Sequence, residues 1–249
     1  MLSERVKILA DSKTLVMANK ARTLRSKGTK VYDFTIGEPD YPTPDHIKAA
    51  GKTAIDNNIT KYSANEGALK LRQAIKNYMN NEFDLAYEPD EIIISTGAKQ
   101  SIFNAVFSLI NPGDEVIIQA PYYVSYPEIV SLAQGKAVYI YSKERNGYKI
   151  TSEDLRKAIT PKTKLFILNN PCNPTGAAYT ESELLELADV LKDKNIYILS
   201  DEIYYKLVYD GLKFKSFAAL NDVIKERTII INGVSKTYSM TGWRIGFGC

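Results

Sequence analysis

The sequence predicts an α/β protein built on a mainly parallel sheet, and three observations carry that prediction. Apolar, β-rich runs too short for a typical helix recur at Ile92–Ser95, Val116–Gln119, Ala137–Tyr141, Leu165–Leu168, Ile196–Leu199 and Thr228–Ile231. Amphipathic segments of helical length separate them, and strands joined by such crossovers form right-handed βαβ units. Residues able to do chemistry follow the apolar runs, where ligands of parallel sheets bind.

Taken in order, helices are expected to begin near Pro44 and Gly67 and again after Gly97, which directly follows the first apolar run. The clearest helical signal is Glu181–Lys194, opened by Thr180 with Glu183 three residues on, a capping box in which each side chain satisfies the other residue's free backbone N–H. The connectors are short and none is of low complexity.

Composition bounds the function. The chain has 249 residues, 45% of them hydrophobic, enough for one large domain or two modest ones with a real core. Its 32 basic and 29 acidic side chains are interspersed and give a net charge of +3, so there is no basic stripe to grip nucleic acid. Small charged metabolites are the natural partners. Cys172 and Cys249 form neither a disulfide framework nor a metal-ligand spacing, which points to a reducing compartment or at least to no reliance on disulfides; a cytoplasmic location is expected. The segment Met1–Ala10 lacks the apolar core of a signal peptide, and no run is long enough to span a membrane. His46 is the single histidine, which excludes by counting a multi-histidine metal site and, in practice, a Ser-His-Asp triad; it follows Pro44-Asp45 at a helix start and reads as solvated.

The residues after the runs fit one ligand. Ser235-Lys236-Thr237 stands eight positions before Arg244 in an otherwise uncharged stretch. A neutral lysine amine condenses with an aldehyde, and a guanidinium grips a phosphate through two parallel hydrogen bonds. Pyridoxal 5'-phosphate carries both groups. Asp201, at the carboxyl end of Ile196–Leu199, can hold its pyridine nitrogen protonated, and Tyr204, three residues on, can meet its phenolic oxygen. Asn173, in the Asn169–Gly176 stretch after Leu165–Leu168, can donate to the same oxygen, although a plain turn explains the prolines there equally well. Thr96-Gly97-Ala98-Lys99 opens a helix with small residues, where free N–H groups and the helix dipole attract an anion. Trp243, the only tryptophan, reads as a buried anchor, and Cys172, between two proline turns, does not read as a catalytic thiol.

In order and wording these motifs resemble the fold-type I pyridoxal-phosphate aminotransferases, class I, the group containing bacterial and archaeal aspartate aminotransferases. The resemblance runs from about Ser12 to Cys249. It implies an α/β/α sandwich with a mainly parallel seven-stranded sheet whose last strand is Arg244–Cys249. It further implies an N-terminal arm and part of a small domain over residues 1–40, and a cofactor-binding large domain over 41–249. By resemblance Lys236 is the cofactor-linked lysine and proton carrier, Asp201 pairs with the pyridine nitrogen, and Tyr204 and Asn173 flank the phenolic oxygen. Arg244, Ser235, Gly97, Ala98 and Lys99 match the phosphate and neighbouring loop positions. Tyr123, where many relatives carry tryptophan, matches the ring that stacks on the pyridine. Gly37, in Ile36-Gly37-Glu38-Pro39-Asp40, matches a glycine near the substrate carboxylate, with Lys99 and Asn173 as further substrate contacts. Tyr62 matches a tyrosine that reaches the phosphate of the neighbouring subunit, which implies a homodimer. Asn173–Pro174 and Ala120–Pro121 become candidates for cis peptide bonds.

The implied reaction is transamination between an amino acid and a 2-oxo acid. Lys99, a cation in a helical first turn, opposes the macrodipole; either a nearby anion compensates, the cofactor phosphate or the side-chain carboxylate of aspartate or glutamate, or the side chain extends into solvent. The family continues past the Trp243-Arg244 motif into a small domain carrying the arginine for the substrate α-carboxylate, so a chain ending at Cys249 is expected to be shortened at its C-terminus, without that domain. Two alternatives stay open: β-elimination from a sulfur amino acid on the same fold, and a non-catalytic cofactor-binding or oligomerisation module.

Overall fold

The computed structural model describes residues 3–7, 9, 13–35 and 37–249. Ser12, where the resemblance begins, Ile36, and parts of the Met1–Ala10 segment lie outside the described residues. In chain order the helices are α1 (Glu4–Lys7), α2 (Lys13–Ser26), α3 (Asp45–Asp56), α4 (Leu69–Phe83), α5 (Ala98–Leu109), α6 (Ser125–Leu132), α7 (Ser152–Ala158), α8 (Glu181–Leu191) and α9 (Asp222–Lys225). The strands are β1 (Ile93–Thr96), β2 (Glu115–Ala120), β3 (Lys136–Tyr141), β4 (Thr163–Asn169), β5 (Tyr197–Asp201), β6 (Thr228–Gly233) and β7 (Ile245–Gly248). Each of the six apolar runs is a strand, displaced at its ends by one or a few residues, and α8 stops at Leu191 rather than Lys194. The Thr180–Glu183 capping box is formed, and a second one, Thr151 with Asp154, opens α7.

Among the described residues the strands make one seven-stranded sheet in the order β1-β7-β6-β5-β4-β2-β3. Pairing is parallel from β6 through β5, β4 and β2 to β3, while β7 runs antiparallel to both neighbours, β1 and β6. Central strands covered on both sides should be apolar on both sides, and β2 is buried at every position. Successive side chains serve opposite layers. Ile117, Phe166, Leu168 and Ile198 face Leu155 of α7 and Leu184, Leu187 and Leu191 of α8. Their sequence neighbours Val116, Ile118, Leu165, Ile167 and Leu199 face Ile102 and Val106 of α5 and Ile129 and Val130 of α6. Each such side chain contributes about 1.5–3 kcal/mol of burial. A third cluster joins Ile75, Met79 and Phe83 of α4 to Ile92, Ile230 and Phe247.

The narrowest packing lies where β7 meets the start of α5. A Cβ on Gly246 would fall 2.2 Å from the Ala98 backbone nitrogen and 2.3 Å from the Gly97 carbonyl carbon, so glycine is what lets the strand lie against the helix entrance. No helix among the described residues is long and apolar enough to cross a membrane. His46 is exposed on the first turn of α3.

Candidate functional site

The site forms at the carboxyl ends of β4, β5 and β6, beside the amino end of α5. Asp201 is the last residue of β5 and 4% exposed. Its Oδ2 accepts a 2.6 Å hydrogen bond from the Tyr126 hydroxyl, and its Oδ1 accepts a longer one, 3.3 Å, from the Ile203 N–H. Burial pushes its carboxyl up to about 6, against the lowering effect of those two donors. Among the described residues no basic side chain pairs with it, so a cation arriving at Asp201 would meet a carboxylate that lacks a counter-charge.

Asn169 pairs with Asp201 across the β4–β5 ladder and organises the loop that follows. Its amide Nδ2 donates to the Asp201 carbonyl at 3.0 Å, and its Oδ1 accepts from the Asn173 N–H at 2.7 Å. Held in this way, Asn173 donates through Nδ2 to the Tyr204 hydroxyl at 3.1 Å. Tyr204 lies on the turn after β5, and burial, reinforced by the Asp201 charge, raises its phenol to about 12. Ala120–Pro121 and Asn173–Pro174 are both cis, and so is Asn170–Pro171, which the sequence did not single out.

Lys236 is half-buried, its Nζ 5.7 Å from the centre of the Tyr204 ring. Nζ donates a 2.6 Å hydrogen bond to the carbonyl of Gly37, 199 positions away. Burial lowers its pKa, Glu38 opposes that shift, and the Arg244 guanidinium adds to it. Arg244 does not belong to the last strand: it immediately precedes β7 in a left-handed conformation at φ 56°. Its Nη1 donates to the Thr241 carbonyl at 3.0 Å and its Nη2 reaches the Thr96 carbonyl at 3.5 Å. Gly97, at φ +79°, makes room for that guanidinium, because a Cβ there would stand 2.2 Å from Nη2. Ser235 is buried beside Lys236. Ala98 and Lys99 open α5, where the first backbone N–H groups lack helical acceptors. Those N–H groups and the Arg244 cation make an anion-binding corner.

Lys99 has its Nζ 5.5 Å over the Tyr123 ring, an aromatic rather than an anionic neighbour. Tyr123 in turn meets Tyr126 edge to face at 5.5 Å. Tyr62 stands apart from this cluster, fully exposed on the turn that precedes α4. Trp243 corrects the sequence reading: it is 40% exposed, lies against Gly51 of α3, and donates from Nε1 to Thr43 Oγ1 at 3.1 Å. Cys172 is buried, which raises its thiol pKa, and its Sγ lies 3.7 Å from the Pro121 carbonyl.

Sequence reasoning missed three contributors. Tyr126 was hidden among 17 tyrosines. Asn169 looked like part of a turn, though its position at a strand's carboxyl end was a usable signal. Glu202 is fully buried behind Asp201, with Oε1 accepting from the Ser200 and Ser216 hydroxyls at 2.8 and 2.9 Å and from the Phe217 N–H at 3.1 Å. Burial pushes its carboxyl up to about 7.

Known proteins are similar to this chain in sequence and fold. The family described as aminotransferase class I and II matches residues 29–249. The aspartate/prephenate aminotransferase of Cereibacter sphaeroides is 47% identical over 247 residues, 99% of this chain and 62% of that protein. The aspartate aminotransferase of Bacillus subtilis is 46% identical over 246 residues, again 99% of this chain and 63% of the relative. Among solved structures, the aspartate aminotransferase from Rhizobium meliloti superposes with a TM-score of 0.96 at 42% identity, covering 100% of this chain and 62% of that one. The Thermus thermophilus enzyme with maleate gives 0.96 at 40% identity, covering 100% and 64%. The chain thus spans somewhat less than two thirds of the length of these relatives. A sheet of this order, a half-buried lysine and buried aspartate at its carboxyl edge, and similarity along nearly the whole chain lead to one assignment: the chain belongs to the class I and II aminotransferases, a family whose cofactor is pyridoxal 5'-phosphate.

Proposed function

We propose that the protein transfers an amino group between an amino acid, foremost aspartate or another dicarboxylic one, and a 2-oxo acid, using pyridoxal 5'-phosphate held by the residues above. The observation that carries this reading is the donor set at the sheet's carboxyl edge: a lysine amine, a buried carboxylate without a cationic partner among the described residues, and a guanidinium beside the first N–H groups of α5. These match an aldehyde, a protonated ring nitrogen and a phosphate. Because Gly97 lacks a Cβ, the Arg244 guanidinium stands against the entrance of α5, where it would meet such a phosphate.

The cofactor supplies an aldehyde for amine capture and a protonated ring that draws electron density from the substrate α-carbon. Lys236 has a lowered pKa and so holds more of its amine neutral, the form that attacks a carbonyl and accepts a proton. Its Nζ is the base that takes the α-proton and returns it. Asp201 keeps the ring nitrogen protonated, while Asn173 and Tyr204, already bonded to each other, present donors to the phenolic oxygen. Arg244, Ser235, Gly97 and Ala98 would hold the phosphate, and Tyr123 would lie against the ring. Gly37, whose carbonyl already accepts from Lys236, would meet the substrate carboxylate, with Lys99 and Asn173 as further substrate contacts. The names of the relatives, aspartate and aspartate/prephenate aminotransferases, support a dicarboxylic substrate.

A homodimer suits the individual exposure of Ile55, Ile59, Tyr62 and Leu69, and in it Tyr62 would reach a second active site. Two free cysteines suit a cytoplasmic setting.

Borohydride reduction of the protein mixed with pyridoxal phosphate, followed by peptide mapping, tests the assignment. The label is expected on Lys236 and should vanish in Lys236→Ala; labelling that persists elsewhere at full yield overturns it.

A further inference from the structure

Asp201 accepts a hydrogen bond from a residue outside the donor set above. Tyr126 is the second residue of α6 and 2% exposed, and its hydroxyl donates to Asp201 Oδ2 at 2.6 Å across 75 positions of sequence. A phenol buried this deeply beside a carboxylate has its pKa raised well above 10, so it stays protonated and always a donor. Among the described residues the other carboxylate oxygen accepts only the 3.3 Å bond from Ile203. From this geometry we infer that Tyr126 is the positioning residue of Asp201: its O–H occupies Oδ2, fixes the plane of the carboxylate and favours its ionised form, leaving Oδ1 for the cation that Asp201 receives. The inference rests on the proposed role of Asp201 toward the pyridine nitrogen.

Two further observations support it. Burial is the largest influence on Asp201 and works against ionisation, and the Tyr126 hydrogen bond is the foremost influence opposing it. The other titratable neighbours do not supply that compensation. Cys172, from the loop after β4, and Tyr204, on the turn after β5, are both held neutral by burial, and Glu202 directs its Oε1 to Ser200, Ser216 and Phe217. Tyr126 also meets the Tyr123 ring edge to face, so the start of α6 places a cofactor-facing ring and the Asp201 donor as one unit.

The test is Tyr126→Phe, which removes one oxygen and keeps the ring. In the cofactor-free protein, carboxyl NMR should show the Asp201 titration midpoint rising by about one pH unit, as expected for losing a donor to the charged form. In the loaded protein the affinity for pyridoxal phosphate should fall about tenfold, while borohydride still labels Lys236. An unchanged Asp201 midpoint in a folded variant overturns the inference. Should the variant not fold, the unaltered protein decides: its Tyr126 Cζ resonance must shift at the Asp201 midpoint, and a flat response refutes the coupling. Failure of the underlying reading looks different, because the unaltered protein would then not be labelled at Lys236.

Discussion

Gly97→Ala separates what the backbone requires from what the phosphate corner requires. Gly97 has φ 79° and ψ 159°, a region almost closed to other residues, so an alanine there costs about 1–3 kcal/mol of stability. Its Cβ would stand 2.2 Å from Arg244 Nη2 and 2.7 Å from Cζ, well inside the contact distance of about 3.5–4 Å. The obstructing atoms are the far end of a flexible side chain, so the guanidinium retreats and the fold survives. Retreat by about 1 Å breaks a charge-assisted hydrogen bond to a phosphate, worth about 1.5–3 kcal/mol, or about a 10- to 150-fold loss of affinity. Urea unfolding of the cofactor-free protein and a titration with pyridoxal phosphate read by visible absorbance measure the two effects separately. Arg244→Ala should weaken binding to a similar extent, and the double variant little further, because both changes remove the same contact. Affinity within twofold of the parent for Gly97→Ala, or losses that multiply in the double variant, would refute the placement of Arg244 at that corner.

Glu202 links stability to pH. Its carboxyl is near 4.5 when unfolded and about 7 when folded, so the folded chain holds the proton more tightly by about 3 kcal/mol. That stabilisation is complete below pH 4.5 and is lost as pH rises through about 7, and Asp201 acts in the same direction between 3.8 and about 6 in the cofactor-free protein. In Glu202→Gln the decline between pH 5 and pH 8 should flatten by about 3 kcal/mol in urea unfolding, and parallel curves for the two proteins would contradict the burial of an ionisable group there. Under the proposed transamination, Lys99→Ala in a full-length enzyme asks which anion Lys99 serves: a loss about tenfold larger for aspartate than for alanine as donor marks the substrate's side-chain carboxylate, whereas equal losses assign Lys99 to the phosphate or to the fold.

The sequence by itself determined what depends on short-range pattern. Runs of apolar residues separated by helical segments defined the strands and the parallel class, because each strand buried on both faces must be apolar throughout. The Thr180–Glu183 box marked a helix start because its two hydrogen bonds span three residues. The rule that ligands bind at carboxyl ends then pointed to Asp201, Asn173 and Gly97 before any contact was known. Trp243 was misjudged for the same reason: apolar character predicts burial on average, but only the position of α3 and Thr43 leaves its ring partly in solvent.

Tertiary structure alone decided the contacts that join distant parts of the chain. Strand order places β7 between β1 and β6, and this brings Arg244 to the carbonyl of Thr96, 148 positions away. No periodicity encodes that neighbourhood, since it follows from the antiparallel return of the last strand and the absence of a side chain on Gly246. Tyr126 is equally illegible: its hydroxyl matters because folding buries it against a carboxylate 75 residues on, where water no longer competes for either partner.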